Sequence, residues 1–151
     1  MNRTAYFLDL DNLVGTGRPS PQQVEAFFLA FEEEYGPSPG DLVYCAGTPT
    51  SAVEAKFARP GYLIQSGKGR DGADRRLLDM ADPDWLSSRF NRVVVGSGDG
   101  AFVNLVFELR RRGVEVELLT GRGFLHRGLY RAVAPNRAGV PTPLVHLTLA
   151  A

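Results

Sequence analysis

Short apolar runs of strand length alternate along the chain with stretches whose apolar residues recur at helical spacing, and this alternation leaves few folds open. Ala5 to Leu8 reads as a buried strand. Ser20 and Pro21 give the cap and first-turn signals of a helix whose apolar face is Val24, Phe27, Phe28, Phe31 and Tyr35, with Gly36 as its stop. Leu42 to Ala46 is read as the second strand, Ala52 to Ala58 as a short helix ending before Pro60, and Tyr62 to Gln65 as the third strand. A glycine-rich loop, Ser66 to Gly72, precedes a helix around Ala73 to Ala81, a connector containing Pro83 and Trp85, and the buried strand Arg92 to Val95. Phe102, Leu105, Val106 and Leu109 mark the next helix, ended by Gly113, and Val114 to Leu119 the strand after it. Strands that alternate with helices in this way predict an α/β fold: a single three-layer α/β/α domain over residues 1–151, with a mainly parallel, Rossmann-like central sheet. The tail is expected to add a helix near Leu125 to Val133, and residues 135–151 a tail or an edge strand near Leu144 to Leu149.

The size fits one domain with a full core: 151 residues, 44% hydrophobic and 23% charged. No apolar run approaches the roughly 20 residues that span a bilayer. The opening MNRTAYFLDLDN sets acids where a signal peptide needs apolar length, so a cytoplasmic location without membrane attachment is expected. The lone Cys45, in the run LVYCA, excludes an internal disulfide and a cysteine-based zinc site and is read as a core residue. Net charge is zero but unevenly spread: acids dominate residues 1–60, and no acid follows Glu117, whereas Arg122, Arg127, Arg131 and Arg137 do. Guanidinium forks suit phosphate oxygens, so an acidic cleft beside an arginine-rich flank would suit a polyanion. For Arg110 to Arg112 a plain helix C-terminal role is the better reading.

Acids lie beside the ends of three predicted strands or loops: Asp9, Asp11 and Asn12 in FLDLDN, Asp71, Asp74 and Asp79 in GRDGADRRLLDM, and Asp99 in VVVGSGDGAF. In an open α/β sheet, ligands bind in the crevice outside the carboxyl ends of the strands, so acids delivered there by separate segments can converge. Converging carboxylates raise one another's pKa unless a divalent cation compensates them, which points to Mg2+ or Mn2+. Asp9 directly follows an apolar run and should emerge in that crevice. Asp11 and Asn12 fit both a site and a turn cap. Asp74 borders the buried face set by Leu77 and Leu78, away from Arg75 and Arg76, which favours a metal or a backbone cap over an ion pair. Asp71 reads as the helix N-cap and Asp79 as solvated. Gly96, Gly98 and Ala101 match a dinucleotide fingerprint, but on the wrong strand, and Asp99 would face a pyrophosphate with the wrong charge.

Together these segments resemble the NYN domains of the PIN-like nuclease superfamily. The correspondence runs through Asp9 and Asn12, then Gly67-Lys68-Gly69 with Ala73-Asp74, then Ser97-Gly98-Asp99, and covers roughly residues 4 to 120 including Leu109 to Val116. The resemblance implies a PIN-like fold and a metal-dependent ribonuclease, in which Asp9, Asp74 and Asp99 ligate Mg2+ or Mn2+, Asn12 orients the first carboxylate and Ser97 assists. RNA is the implied partner, more than DNA. Asn12, Ser97, Lys68, Arg122 and Arg127 are the candidate substrate-binding residues. The chain departs from the family at Ala101, where many members carry a further acid, which weakens any second metal site. His126 and His146 are not required.

Two other readings remain. Asp9-Leu10-Asp11 also resembles the first motif of haloacid dehalogenase-like phosphatases, with Thr48, Lys68 and Gly98-Asp99-Gly100 as later motifs and Asp9 as nucleophile, but Val103 stands where that family places another acid. The third is a catalytically weak nucleic-acid-binding or regulatory module. A homo-oligomer is compatible with all three.

Overall fold

The apolar runs form six strands, β1 (Thr4–Asp9), β2 (Leu42–Gly47), β3 (Leu63–Ser66), β4 (Arg92–Gly96), β5 (Glu115–Thr120) and β6 (Leu144–His146). The structure, a computed structural model, describes residues 2–69, 71–135 and 137–149. The strands make one sheet in the order β3-β2-β1-β4-β5-β6, and every pairing is parallel. Side chains alternate across it with the period of two that an extended chain imposes. Phe7, Val93, Val95 and Leu118 enter one core, and Tyr6, Leu8, Val94 and Leu119 the other. Both faces are covered, so the central strands are apolar at consecutive positions, as in Arg92–Gly96.

On one face lie α1 (Leu10–Val14), α2 (Pro21–Tyr35) and α3 (Pro49–Ala58). On the other lie α4 (Gly72–Met80), α5 (Pro83–Arg89), α6 (Val103–Arg111) and α7 (Arg127–Val133). The start of α2 is fixed by a capping box between Ser20 and Gln23, with Pro21 in the first turn, and its end by Gly36 at φ 54°. Its inward stripe buries Phe27, Phe28 and Phe31 completely, each worth about 1.5–3 kcal/mol. Arg59, after α3, then clasps Glu25 and Glu32 of α2 at 2.9 and 2.7 Å.

Two elements depart from expectation. Residues 83–89, expected as a connector, form α5, because Asp82 caps the amide of Asp84, Pro83 sets the first turn and Leu86 is driven into the core. Leu10–Val14, immediately after β1, closes into the short helix α1 capped by Asp9 itself. The edge strand β6 is present and parallel to β5.

The strand order places the site. From β1 the chain builds outward through β2 to β3, then returns to β4 on the other side of β1. Between β1 and β4 the direction of winding reverses, and the loops leaving their carboxyl ends diverge to opposite faces, opening a crevice. Asp9 ends β1, and Ser97 to Asp99 follow β4, so both stand at that opening.

Candidate metal centre

Asp9 is 5% exposed, and its position at the end of a buried strand gives its carboxylate few partners. Ser97, wholly buried, donates its hydroxyl to Asp9 Oδ2 at 3.0 Å and accepts the backbone N–H of Asp99 at 3.1 Å. One hydroxyl therefore fixes the carboxylate of β1 relative to the loop after β4. Asn12 acts on the same loop: its Oδ1 accepts the Gly98 N–H at 3.0 Å, while only its backbone N–H reaches Asp9, at 3.5 Å. The side chains of Asn12 and Ser97, candidates for substrate contact, are thus turned to holding the loop that carries Asp99. Ser97→Ala should leave the fold intact and lower Mn2+ affinity about 10–100-fold in calorimetric titration. Unchanged affinity would remove Ser97 from the site.

Asp74, in the first turn of α4, is 6% exposed, and its Oδ1 has no hydrogen-bond partner among the described residues. Burial first, and then the carboxylates of Asp9 and Asp99, push its pKa up to about 9. Burial likewise raises that of Asp9, against the hydrogen bonds it accepts. Asp71 corrects the sequence reading. It occupies the N-cap position of α4 but makes no side-chain capping bond. Its carboxylate instead joins those of Asp74 and Asp99, with one oxygen from each lying within 4.8 Å of the others. The signal available in the sequence was its offset from Asp74, three residues apart across the helix start. Three carboxylates converge here, with Asp9 against Asp74, and a buried oxygen lacks a donor. A divalent cation that prefers oxygen ligands fits this set.

Asp9, Asp11, Asp74 and Asp99 line a cleft of about 430 Å³ together with Asn12, Thr48, Gly67, Gly69 and Gly123, and Asp71 stands at its margin, outside that lining. A second cleft, about 460 Å³, adjoins it through Gly67 and is lined by Lys68, Arg75, Arg76 and Asp79. The cations beside the acids are therefore those of the loop before α4 and of its solvent face. Arg122 and Arg127 are not among the residues lining the acidic cleft. Arg122 lies against Val14, Gln23 and Ala26 and donates to the Leu149 carbonyl, and Arg127 is exposed at the start of α7. Arg110 bonds the carbonyls of Ala132 and Ala134, and Arg111 and Arg112 pair with Glu108, so the structural reading of that triplet holds. A larger hollow, about 590 Å³, opens at the amino-terminal ends of the strands near Arg3, Asn91 and Arg112. Its arginines are engaged within the protein, Arg3 with the Gly40 carbonyl, Arg112 with Asp84 and Arg89 over the Trp85 ring, whereas the carboxylate cluster lies at the other end of the strands.

Asp11 is spent on structure, accepting the Thr48 N–H at 2.8 Å and the Ser51 hydroxyl at 2.5 Å. Thr48 in turn donates to the Gly17 carbonyl. Asp11 and Thr48 both line the acidic cleft, but a phosphatase would need that acid and that hydroxyl free for its substrate rather than bonded within the protein. His146 pairs with Thr120, and Cys45 is fully buried, its thiol pKa raised by burial.

Among the described residues, no helix is long and apolar enough to cross a membrane. No curated protein matches the chain. Among solved structures, a protein of unknown function from Vibrio parahaemolyticus is similar in fold, with a TM-score of 0.61 over 99% of this chain and 93% of that one at 16% identity. A family model described as NYN domain matches residues 3–133, which takes in β1 through α7 and every acid of the cluster. The chain belongs to the NYN domain family and has its PIN-like nuclease fold.

Proposed function

We propose that this protein is a metal-dependent endoribonuclease, a single domain that hydrolyses phosphodiester bonds of RNA with Mg2+ or Mn2+ held by Asp9, Asp74 and Asp99. The observation that carries this reading is the buried, unpartnered oxygen of Asp74 among the carboxylates of Asp9, Asp71 and Asp99. Asp71 supplies a further acid beside Asp74 and Asp99, in a chain that carries Ala101 rather than an acid after Asp99. When bound, the cation neutralises charge on the phosphoryl oxygens and lowers the pKa of water beside it. The protein's own part is placement. Ser97 holds Asp9, Asn12 holds the loop of Asp99, and α4 brings Asp74 and Asp71 to the same point. Lys68, Arg75 and Arg76 would receive the phosphates that flank the scissile bond, because their cleft continues the acidic one. The engagement of Asp11 and Thr48 favours this reading over a phosphatase with Asp9 as nucleophile.

The test is cleavage of end-labelled single-stranded RNA and DNA with Mn2+, Mg2+ or EDTA, beside an Asp99→Asn variant purified identically. Cleavage of RNA that EDTA abolishes, and that the variant lowers at least about a hundred-fold, is the expected result. Equal cleavage by both proteins would assign the activity to a contaminant. Salt-sensitive binding without cleavage would turn the protein into a binding module.

A further inference from the structure

The loop 121–126, between β5 and α7, is held against the site by backbone contacts. The Arg122 N–H donates to the Leu13 carbonyl at 3.0 Å, and the His126 N–H donates to the Gly98 carbonyl at 2.7 Å. The contact is so close that a Cβ on Gly98 would lie 1.9 Å from the Phe124 carbonyl oxygen, and one on Gly123 would lie 2.3 Å from the Asn12 carbonyl. The His126 ring closes the far side, against Gly100. On this fixed loop Phe124 is 78% exposed, directly after Gly123, which lines the acidic cleft. An exposed phenylalanine on a flexible tip needs no explanation. One carried on backbone locked to the residue before Asp99 has a fixed origin next to Gly123 at the rim of the acidic cleft, although the ring itself is not among the residues lining it.

We propose that Phe124 is a stacking platform for an unpaired nucleobase adjoining the scissile phosphate, and that the enzyme therefore acts on single strands. This rests on the nuclease reading above. Every base offers a π-face to an aromatic ring, whereas a duplex keeps those faces stacked on each other, so the platform selects strandedness rather than sequence. Stacking on a base face reads no 2′-hydroxyl, so RNA and DNA single strands would engage the ring alike, and discrimination between them falls to the acidic cleft.

The experiment is steady-state cleavage with Mn2+ of single-stranded RNA, single-stranded DNA of the same sequence and duplex RNA, using wild type, Phe124→Ala, Phe124→Trp and, as a control on another exposed ring, Phe107→Ala. A 2-aminopurine in the strand reports stacking by its quenching. Phe124→Ala should raise KM for single strands about 5- to 100-fold, with kcat nearly unchanged and the quenching lost. Phe124→Trp should restore both, and Phe107→Ala should match wild type. Unaltered KM and quenching in Phe124→Ala, with wild type still cleaving in a metal-dependent way, would overturn the platform and leave the nuclease standing. Preference of wild type for duplex would do the same. Failure of wild type to cleave or bind any strand would overturn both.

Discussion

Asp74→Asn should make the metal-free protein more stable and abolish the proposed nuclease activity. In the fold the Asp74 carboxyl keeps its proton up to about pH 9, against the ordinary aspartate value of 3.8. Between those values the folded state holds a proton that the unfolded chain has released. Stability of the metal-free protein therefore falls as pH rises through that window, and the loss is complete above it. Asparagine removes the titration. At pH 8 the variant should melt several degrees above metal-free wild type, since relief of about 1–3 kcal/mol moves the melting point of a chain this size by about 2–4 °C per kcal/mol. Added Mn2+ should raise the melting temperature of wild type and leave the variant unmoved, because a cation bound only by the folded state stabilises it by mass action. Cleavage should fall at least about a hundred-fold. A variant that melts lower at every pH, or still responds to Mn2+, would show that Asp74 is a structural acid.

Gly67→Ala is expected to be, with Gly98→Ala, among the most damaging single-methyl changes near the site. A Cβ on Gly67 would lie 2.1 Å from the carbonyl carbon and oxygen of Gly72 and 2.6 Å from the amide nitrogen of Ala73. Those atoms are backbone at the start of α4, so no rotamer change can relieve the contact, and the helix start must move. Gly72 mirrors the restriction, with its own Cβ position 2.5 Å from the Gly67 carbonyl carbon. Overpacking of this kind costs about 1–3 kcal/mol or more. The displacement falls on the residues that place Asp71 and Asp74. Denaturant melts should show the loss of stability, and Mn2+ titration a fall in affinity beyond what destabilisation explains. Gly69→Ala is a useful contrast: among the described residues no atom lies within 4 Å of that Cβ position, and its cost comes from φ 84°. Wild-type Mn2+ affinity in Gly67→Ala would mean that α4 tolerates the shift.

The fold was legible where burial is two-sided or periodic. Leu42–Gly47 and Arg92–Gly96 are apolar at consecutive positions because helices cover both faces, and α2 carries a capping signal, a Pro, an apolar stripe and a terminal Gly. Residues 83–89 were not legible, since PDWLSSR is short and polar, and its helix depends on the cap at Asp82 and the burial of Leu86. The acids at strand ends were readable for the same reason as the strands. Asp9 and Asp99 follow apolar runs directly, and Asp74 lies one helical turn from buried Leu77. Asp71 was misread because its position ordinarily means capping, and only the backbone there, at φ −116° and ψ 25° and without the capping bond, frees its carboxylate. That Arg122 and Arg127 stand outside the lining of the acidic cleft was not legible for a different reason. Arginine density in the sequence pointed to the tail, but the Leu149 carbonyl to which Arg122 donates is remote in sequence.

Parallel pairing makes the site depend on long-range closure. Asp9 and its hydroxyl donor Ser97 are 88 positions apart, and they meet only when β4 lies beside β1. Until that pairing forms, Asp9 and Asp99 are distant and their mutual repulsion is not felt. A penalty that needs the closed β1–β4 pair weighs on the native state more than on the open chain. Charge neutralisation there acts mainly on how long the native state lasts and little on how quickly it is reached. A carboxylate cluster assembled in this way slows folding little, and a cation bound there would act as a brake on unfolding.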